Sequence, residues 1–190
     1  MHLLLASKSP RRRELISRLG WPVRVVDIDV DERIDGACEA SKVAERIAIA
    51  KSGGYPAGNL NDGEILVTAD TVVVVDDKVL GKPHSEEAAM QMLRQLSGRW
   101  HTVYSGVCLR TRQCTDSFTE ATGVHFRQLS DREISHYVST CHPMDKAGAY
   151  GIQEWIGMIG IDRIEGCYYN VMGLPLAQLY SHILRMDGEL

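Results

Sequence analysis

Ile65-Leu66-Val67-Thr68-Ala69-Asp70-Thr71-Val72-Val73-Val74-Val75 is an almost continuous aliphatic and β-branched run with one carboxylate at its centre. Such a run predicts a strand buried on both faces, the kind that lies inside a sheet covered by helices. Asp70 breaks the pattern. A carboxylate among apolar side chains is costly unless it is paired, hydrogen-bonded or metal-bound. The structural alternative is a strand end or bulge where Asp70 caps a turn, but β-branched residues flank it on both sides.

Reading downstream, Asp76-Asp77 predicts a hairpin turn into Lys78-Val79-Leu80, and Gly81-Lys82-Pro83 a fixed loop after it. The returning strand can carry Lys82 back toward Asp70, although taken alone it reads as a surface lysine. Ser85 caps a long helix with Glu86 and Glu87 in its first turn and Gly98 after its end. Val103 to Thr111 and Glu120 to Leu129 read as strands. Ser130 and Glu133 form a capping box for a helix to about Val138. Met158 to Ile164 reads as a strand, and Leu176 to Leu184 as a closing helix after Pro175. Upstream, Leu3 to Ala6 is a short buried strand. Ser9-Pro10 opens a helix with Leu15, Ile16 and Leu19 as its stripe and Gly20 as its stop. Val23 to Val30 alternates as a strand, Glu39 to Lys51 is helical with Val43, Ile47 and Ala50 on one face, and Gly53 to Gly63 is a surface loop. Strands and helices interleave with hairpins, which predicts an α/β protein with a mixed sheet, one domain over residues 1–190.

Local rules that fail point to function. Arg11, Arg12 and Arg13 occupy the first turn of a helix, where the macrodipole is already positive and the amide N–H groups lack intrahelical acceptors. Three guanidinium forks there make an anion site; the alternative is a solvated basic patch. Asp27, Asp29, Asp31 and Glu32 lie within six residues at a strand end. Alternation brings some of them together, which suits a hard cation such as Mg²⁺ or Mn²⁺, and equally suits a solvated acidic edge. In Asp145-Lys146-Ala147-Gly148-Ala149-Tyr150-Gly151-Ile152-Gln153, the glycines permit close approach of the backbone to a ligand.

The composition excludes several classes. With 190 residues, 44% apolar and 24% charged, the chain matches an ordinary globular protein rather than a disordered or fibrous one. No apolar run approaches the roughly 20 residues that cross a bilayer, so no membrane partner is expected. Five cysteines without a C-x-x-C argue for free thiols in the cytoplasm. A net charge of −4 gives no global reason to bind nucleic acid. Walker A, G-x-G-x-x-G and G-x-S-x-G patterns are absent, and the histidines show no metal spacing. Arginines at a helix start, loop lysines, a buried carboxylate and an acidic strand end together fit a polyphosphate held by cations, with a metal bridging carboxylate and phosphate oxygens.

Leu4-Leu5-Ala6-Ser7-x-Ser9-Pro10-Arg11-Arg12-x-Glu14-Leu15, Val30-Asp31-Glu32, Ala50-Lys51, Ala69-Asp70-Thr71-Val72-Val73, Gly81-Lys82-Pro83, Leu96-Ser97-Gly98, the Asp145–Gln153 segment and Gly173-Leu174-Pro175-Leu176 follow one another in this order. The succession resembles the Maf family of nucleoside triphosphate pyrophosphatases, which is associated with inhibition of septum formation and cell-division arrest. The resemblance covers nearly the whole chain. It implies an elongated, two-lobed α/β fold of the inosine-triphosphate-pyrophosphatase type with a central cleft, a homodimer, and metal-dependent hydrolysis of a nucleoside triphosphate to monophosphate and pyrophosphate. Asp70 takes the position of the catalytic carboxylate and, with Glu32, of the metal ligands for Mg²⁺ or Mn²⁺. Ser9, Arg12, Lys51, Lys82 and Lys146 take the polar positions that hold phosphate. Arg11, Thr71 and Gln153 match the selectivity set of the dTTP/UTP branch, whereas the 7-methyl-GTP branch carries Trp, Gln and Glu. An amide can flip to meet cytosine, so Gln153 alone leaves CTP open. Another nucleotide specificity and a nucleotide-binding regulator of division are the rival readings. Two departures from the family pattern stand out: Asp76-Asp77 where Asp-Gly or Asn-Gly is usual, and Glu154-Trp155 where a small residue often follows the glutamine.

Overall fold

The structure is a computed structural model that describes residues 1–28, 30 and 39–188. In chain order its elements are β1 (His2–Leu5), α1 (Pro10–Ser17), β2 (Val23–Val25), α2 (Ala40–Gly53), β3 (Glu64–Val75), β4 (Lys78–Leu80), α3 (Glu86–Leu96), β5 (Trp100–Arg110), β6 (Thr115–Phe126), α4 (Asp131–Cys141), α5 (Trp155–Gly160), β7 (Ile161–Glu165), α6 (Tyr168–Met172) and α7 (Leu176–Asp187). The seven strands form one sheet in the order β2-β1-β3-β5-β6-β7, with β4 also paired to β3. β1 runs parallel to β2 and β3, while β4 on β3 and β7 on β6 are antiparallel, so the sheet is mixed. The α/β class with a mixed sheet is therefore the one observed.

The apolar run is the long strand β3, buried throughout except at Glu64 and at the central Asp70 and Thr71. Asp70 is thus in the strand interior and is not a terminal cap. The Asp76-Asp77 turn closes without glycine: both residues take positive φ, 50° and 58°, as a type I′ turn requires. Aspartate tolerates that region better than most side chains, and Asp76 accepts a hydrogen bond from Arg99 Nη2 at 2.5 Å. The Ser9 and Ser85 caps and the Ser130–Glu133 capping box form as their sequences demand.

Several boundaries differ from the sequence reading, and three of them matter most. β2 stops at Val25, and Asp29 with residues 31–38 lies outside the described residues. β6 begins at Thr115, five residues before the expected start. Met158 to Gly160 belongs to helix α5, not to a strand. Short apolar runs do not separate helix from strand by periodicity, and here the glycines decide. A Cβ on Gly157 would lie 2.1 Å from the Ile152 carbonyl oxygen, and one on Gly160 would lie 2.9 Å from Leu129, so this short helix packs tightly on both.

The chain divides into two compact units: Met1–Asp70 with Ser105–Glu120 and Gly173–Leu190, and Thr71–Tyr104 with Ala121–Met172. In the first, Leu4, Ala6, Tyr55, Leu60 and Leu66 pack together with Val26 and Ile28 against them. Helix α2 buries Ala44, Ala48 and Ser52, not the expected Val43, Ile47 and Ala50. The small face wins because α2 comes into backbone contact with β5, at the point where Gly106 has no side chain. In the second unit, α3 (Ala89, Leu93, Leu96) and α4 (Ile134, Tyr137, Val138) pack with Val73, Val103, Val124 and Phe126. His101 is buried there, 2.7 Å from the Tyr150 hydroxyl and stacked on Phe126. Burial, with a smaller contribution from His125, pushes its pKa down to about 3, so it is a neutral core residue. Among the described residues no helix is long and apolar enough to cross a membrane.

A Cβ at position 106 would sit 2.1 Å from Glu45 N and 2.2 Å from its Cα, backbone atoms that cannot step aside. Gly106→Ala is expected to destabilise the protein by about 3 kcal/mol in urea denaturation. Gly58→Ala, where a Cβ meets nothing within 4 Å, should stay within about 0.5 kcal/mol of the parent. A small loss at 106 would mean that α2 is not held against β5.

Candidate active site

In the first unit the arrangement starts at the loop between β1 and α1. Ser9 N donates to Ser7 Oγ at 3.2 Å, and Ser9 Oγ accepts the Arg12 N–H at 3.4 Å. This cap opens α1 with Pro10 in place and no acidic residue in the first turn, so Arg11, Arg12 and Arg13 do sit at the positive helix end. Arg11 is half-buried. Arg12 directs Nε to the Gly173 carbonyl and Nη1 to the Ala69 carbonyl, both at 2.8 Å. Its guanidinium therefore ties three segments together, one of them β3 immediately before Asp70. The sequence indicates the cation but not these two carbonyl partners.

Lys51, in the last turn of α2, places Nζ 2.8 Å from Asp70 Oδ1, with the two side chains 12% and 16% exposed. This is the pairing that the apolar strand demands of Asp70. The cation comes from 19 residues upstream, across the contact between α2 and β3, where Thr68 Oγ1 also donates to the Ala48 carbonyl at 2.7 Å. Ser9, Arg12, Lys51 and Asp70 are thus brought into one region of the first unit. Glu32 lies outside the described residues, as do Asp29 and Asp31. Among the described residues no group of three or more His, Cys, Asp or Glu side chains converges. A magnesium-like ion does not need such a cage, because it is commonly bound by one or two carboxylates together with substrate phosphate oxygens and water. The half-buried Asp70 carboxylate fits that donor set.

The second unit begins at Thr71, next to Asp70 in the chain and half-buried. The β3–β4 register pairs Leu80 with Val73, so the chain leaves β4 in the direction of Thr71 and carries the exposed Lys82. The Gly81 carbonyl accepts the Gly148 N–H at 3.1 Å and docks this loop on the Asp145–Gln153 segment. Gly148 has φ +66° and packs on Val73, whose Cγ2 would be 2.9 Å from a Cβ there. Gly151 faces Glu154 and Gln153, whose Cδ and Nε2 would lie 2.8 and 3.1 Å from its Cβ. Both glycines make room for the protein's own side chains.

Lys146 is buried, with Nζ 2.7 Å from Asp145 Oδ1 and 3.1 Å from Glu154 Oε1. Two carboxylates already face its ammonium, the more exposed being Asp145. Glu154 also accepts the Tyr137 hydroxyl, and Tyr137 Oη accepts the Gly151 N–H at 3.2 Å. Burial, reinforced by the bond to Glu154, drives the Tyr137 pKa upward, so the phenol stays protonated and donates. Gln153 Oε1 is buried without a hydrogen-bond partner. Buried amide oxygens are rarely left unmatched, and an orphan of this kind requires an explanation. Glu154 and Tyr137 were not among the predicted site residues. Glu154 was visible only as a departure after Gln153, and Tyr137 was hidden in the apolar face of α4.

Residues 2–186 match the family described as Maf-like protein. A dTTP/UTP pyrophosphatase of Bacteroides thetaiotaomicron is 48% identical over 186 residues, 97% of this chain and 95% of the relative. One from Porphyromonas gingivalis is 46% identical over 183 residues, 95% of this chain and 92% of the relative. Among solved structures, the Ham1 protein of Staphylococcus aureus aligns with a TM-score of 0.48 and 16% identity over 66% of this chain and 72% of that one.

The Lys51–Asp70 pair sets an expectation for stability. Asp70→Asn keeps an acceptor oxygen for Lys51 but removes the charge, so it should fold and lose about 1–2 kcal/mol, read from the shift in the urea midpoint. A gain in stability would show that the pair is a net cost to the fold.

Proposed function

The chain belongs to the Maf family, and we propose that it is a dTTP/UTP pyrophosphatase, cleaving the α–β phosphoanhydride bond to give the nucleoside monophosphate and pyrophosphate. The observation that carries the chemistry is the Asp70 carboxylate, fixed by Lys51 in the middle of a buried strand and backed by Arg12 on the preceding carbonyl. In this reading Asp70 orients a water molecule and accepts its proton as the oxygen attacks the α-phosphorus. The α-phosphorus–bridging-oxygen bond breaks, and pyrophosphate leaves without a covalent enzyme intermediate. Ser9, Arg12, Lys51 and Lys82 are assigned to the charge of the phosphates. Lys146 joins them by exchanging its exposed partner Asp145 for phosphate. Asp70 and Glu32 would hold Mg²⁺ or Mn²⁺, which when bound polarises phosphate oxygens and lowers the pKa of water.

Base choice is assigned to Arg11, Thr71 and Gln153. A uracil or thymine edge offers an N3–H donor beside an O4 acceptor, and an amide matches both. The unmatched Oε1 of Gln153 supports this role, because the N3–H would satisfy it. We place the enzyme in the cytoplasm as a homodimer that acts on free nucleotides, with no nucleic-acid or membrane partner. Cys108, Cys114, Cys141 and Cys167 are free thiols, which supports that compartment.

UTP and dTTP should yield UMP and dTMP with pyrophosphate, with activity lost in excess chelator and restored by Mg²⁺ or Mn²⁺. Asp70→Asn should lower kcat by at least about 10²-fold. Chromatography showing nucleoside diphosphate and orthophosphate as first products would refute the reaction type. For selectivity, Gln153→Glu should lower kcat/KM for UTP and dTTP by about 5- to 150-fold, because a carboxylate cannot donate to O4. An equal loss for UTP, dTTP, CTP and 7-methyl-GTP would remove Gln153 from base reading.

A further inference from the structure

Gln153 sits in a turn that is pinned from several directions. Glu154 N donates to the Gly151 carbonyl at 3.0 Å and closes the turn. The Gly151 N–H donates to Tyr137 Oη at 3.2 Å, and the Tyr137 hydroxyl donates in turn to the Glu154 carboxylate. Lys146 holds the other carboxylate oxygen at 3.1 Å. Tyr137 is itself fully buried in α4, so its ring cannot follow a shifting turn. On the far side, Gly157 brings the start of α5 against the Ile152 backbone. One phenol thus joins the first and last residues of a turn whose third residue carries an unmatched amide oxygen.

We propose that Tyr137 and Glu154 are positioning residues for base selection, bracing the Gly151–Glu154 turn so that Gln153 presents its amide in one orientation. The inference rests on the reading above in which Gln153 meets the pyrimidine edge. An amide exchanges donor and acceptor by turning over, and the turned form matches cytosine, whose edge carries a donor where uracil carries an acceptor. Discrimination therefore depends on how firmly the turn is held, not only on the presence of glutamine. Neither brace residue needs to touch substrate.

The test is kcat/KM for UTP and CTP, with kcat and KM resolved and thermal melting recorded alongside. Wild type should prefer UTP. Tyr137→Phe removes both hydroxyl bonds and should narrow the UTP:CTP ratio by about fivefold or more, the low end for one lost buried hydrogen bond, mainly through KM. Glu154→Ala should do the same, whereas Glu154→Gln keeps an oxygen for the tyrosine and should retain most of the ratio. In a Gln153→Ala background, Tyr137→Phe should change the ratio no further. If Tyr137→Phe does not fold, the Glu154→Ala and Glu154→Gln pair decides the matter, because Glu154 is partly exposed. A lowered melting temperature with an unchanged ratio, or equal ratios in the two Glu154 variants, would overturn the brace. Absence of a wild-type preference, or a preference that survives Gln153→Ala, would overturn the base-reading role itself and the brace with it.

Discussion

The ion pair between Lys51 and Asp70 is the constraint that organises the first unit. A carboxylate in the middle of an apolar strand is tolerable only if a cation reaches it, and Lys51 arrives from the end of a helix. A lysine reaches β3 from there only if the helix lies close to the sheet. The small face of α2 and the missing side chain at Gly106 make that approach possible. Arg12 acts on the same strand, holding the Ala69 carbonyl and through Gly173 the segment that leads to α7. Pairs of this kind add little net stability, since desolvation offsets most of the Coulomb attraction. What they provide is a carboxylate held in one place by a scaffold whose packing would have to change for it to move.

The second unit applies the same logic to a cation. Lys146 is buried, and Asp145 and Glu154 compensate it. Glu154 also receives the Tyr137 phenol, so compensation of charge and fixation of a turn share one carboxylate. Loss of the Glu154 side chain would therefore act on Lys146 and on the Gln153 turn together.

Much of this was legible in the chain. The apolar run required a central strand, Asp70 required a partner, and Ser9-Pro10 and Ser130–Glu133 announced helix starts through local chemistry that tertiary context did not override. The identity of Asp70's partner was not legible, because it depends on how α2 meets the sheet, and that depends on a glycine at 106 with no motif around it. The buried face of α2 was misjudged for the same reason: hydrophobicity favoured Val43 and Ile47, while close approach favoured Ala44 and Ala48. The α5 run carried too few residues to reveal its period. Tyr137 carried no signal of its own, since nothing in a sequence distinguishes a phenol that anchors a turn from one that only fills space.

Asp70 and Thr71 are consecutive residues of one extended strand, and consecutive side chains in a strand project to opposite faces. The carboxylate assigned to bond breaking and the hydroxyl assigned to substrate choice are thus separated by a single peptide bond, yet each has its own neighbourhood. Inheritance can therefore alter one without disturbing the surroundings of the other, and a lineage can change its preferred nucleotide while its hydrolytic chemistry stays intact. The same alternation exposes the arrangement to frameshifts of structure. Inserting or deleting one residue between Glu64 and Ala69 would send every later side chain of the strand to the wrong face. Divergence along this strand is thus expected to proceed by substitution, with its length held constant.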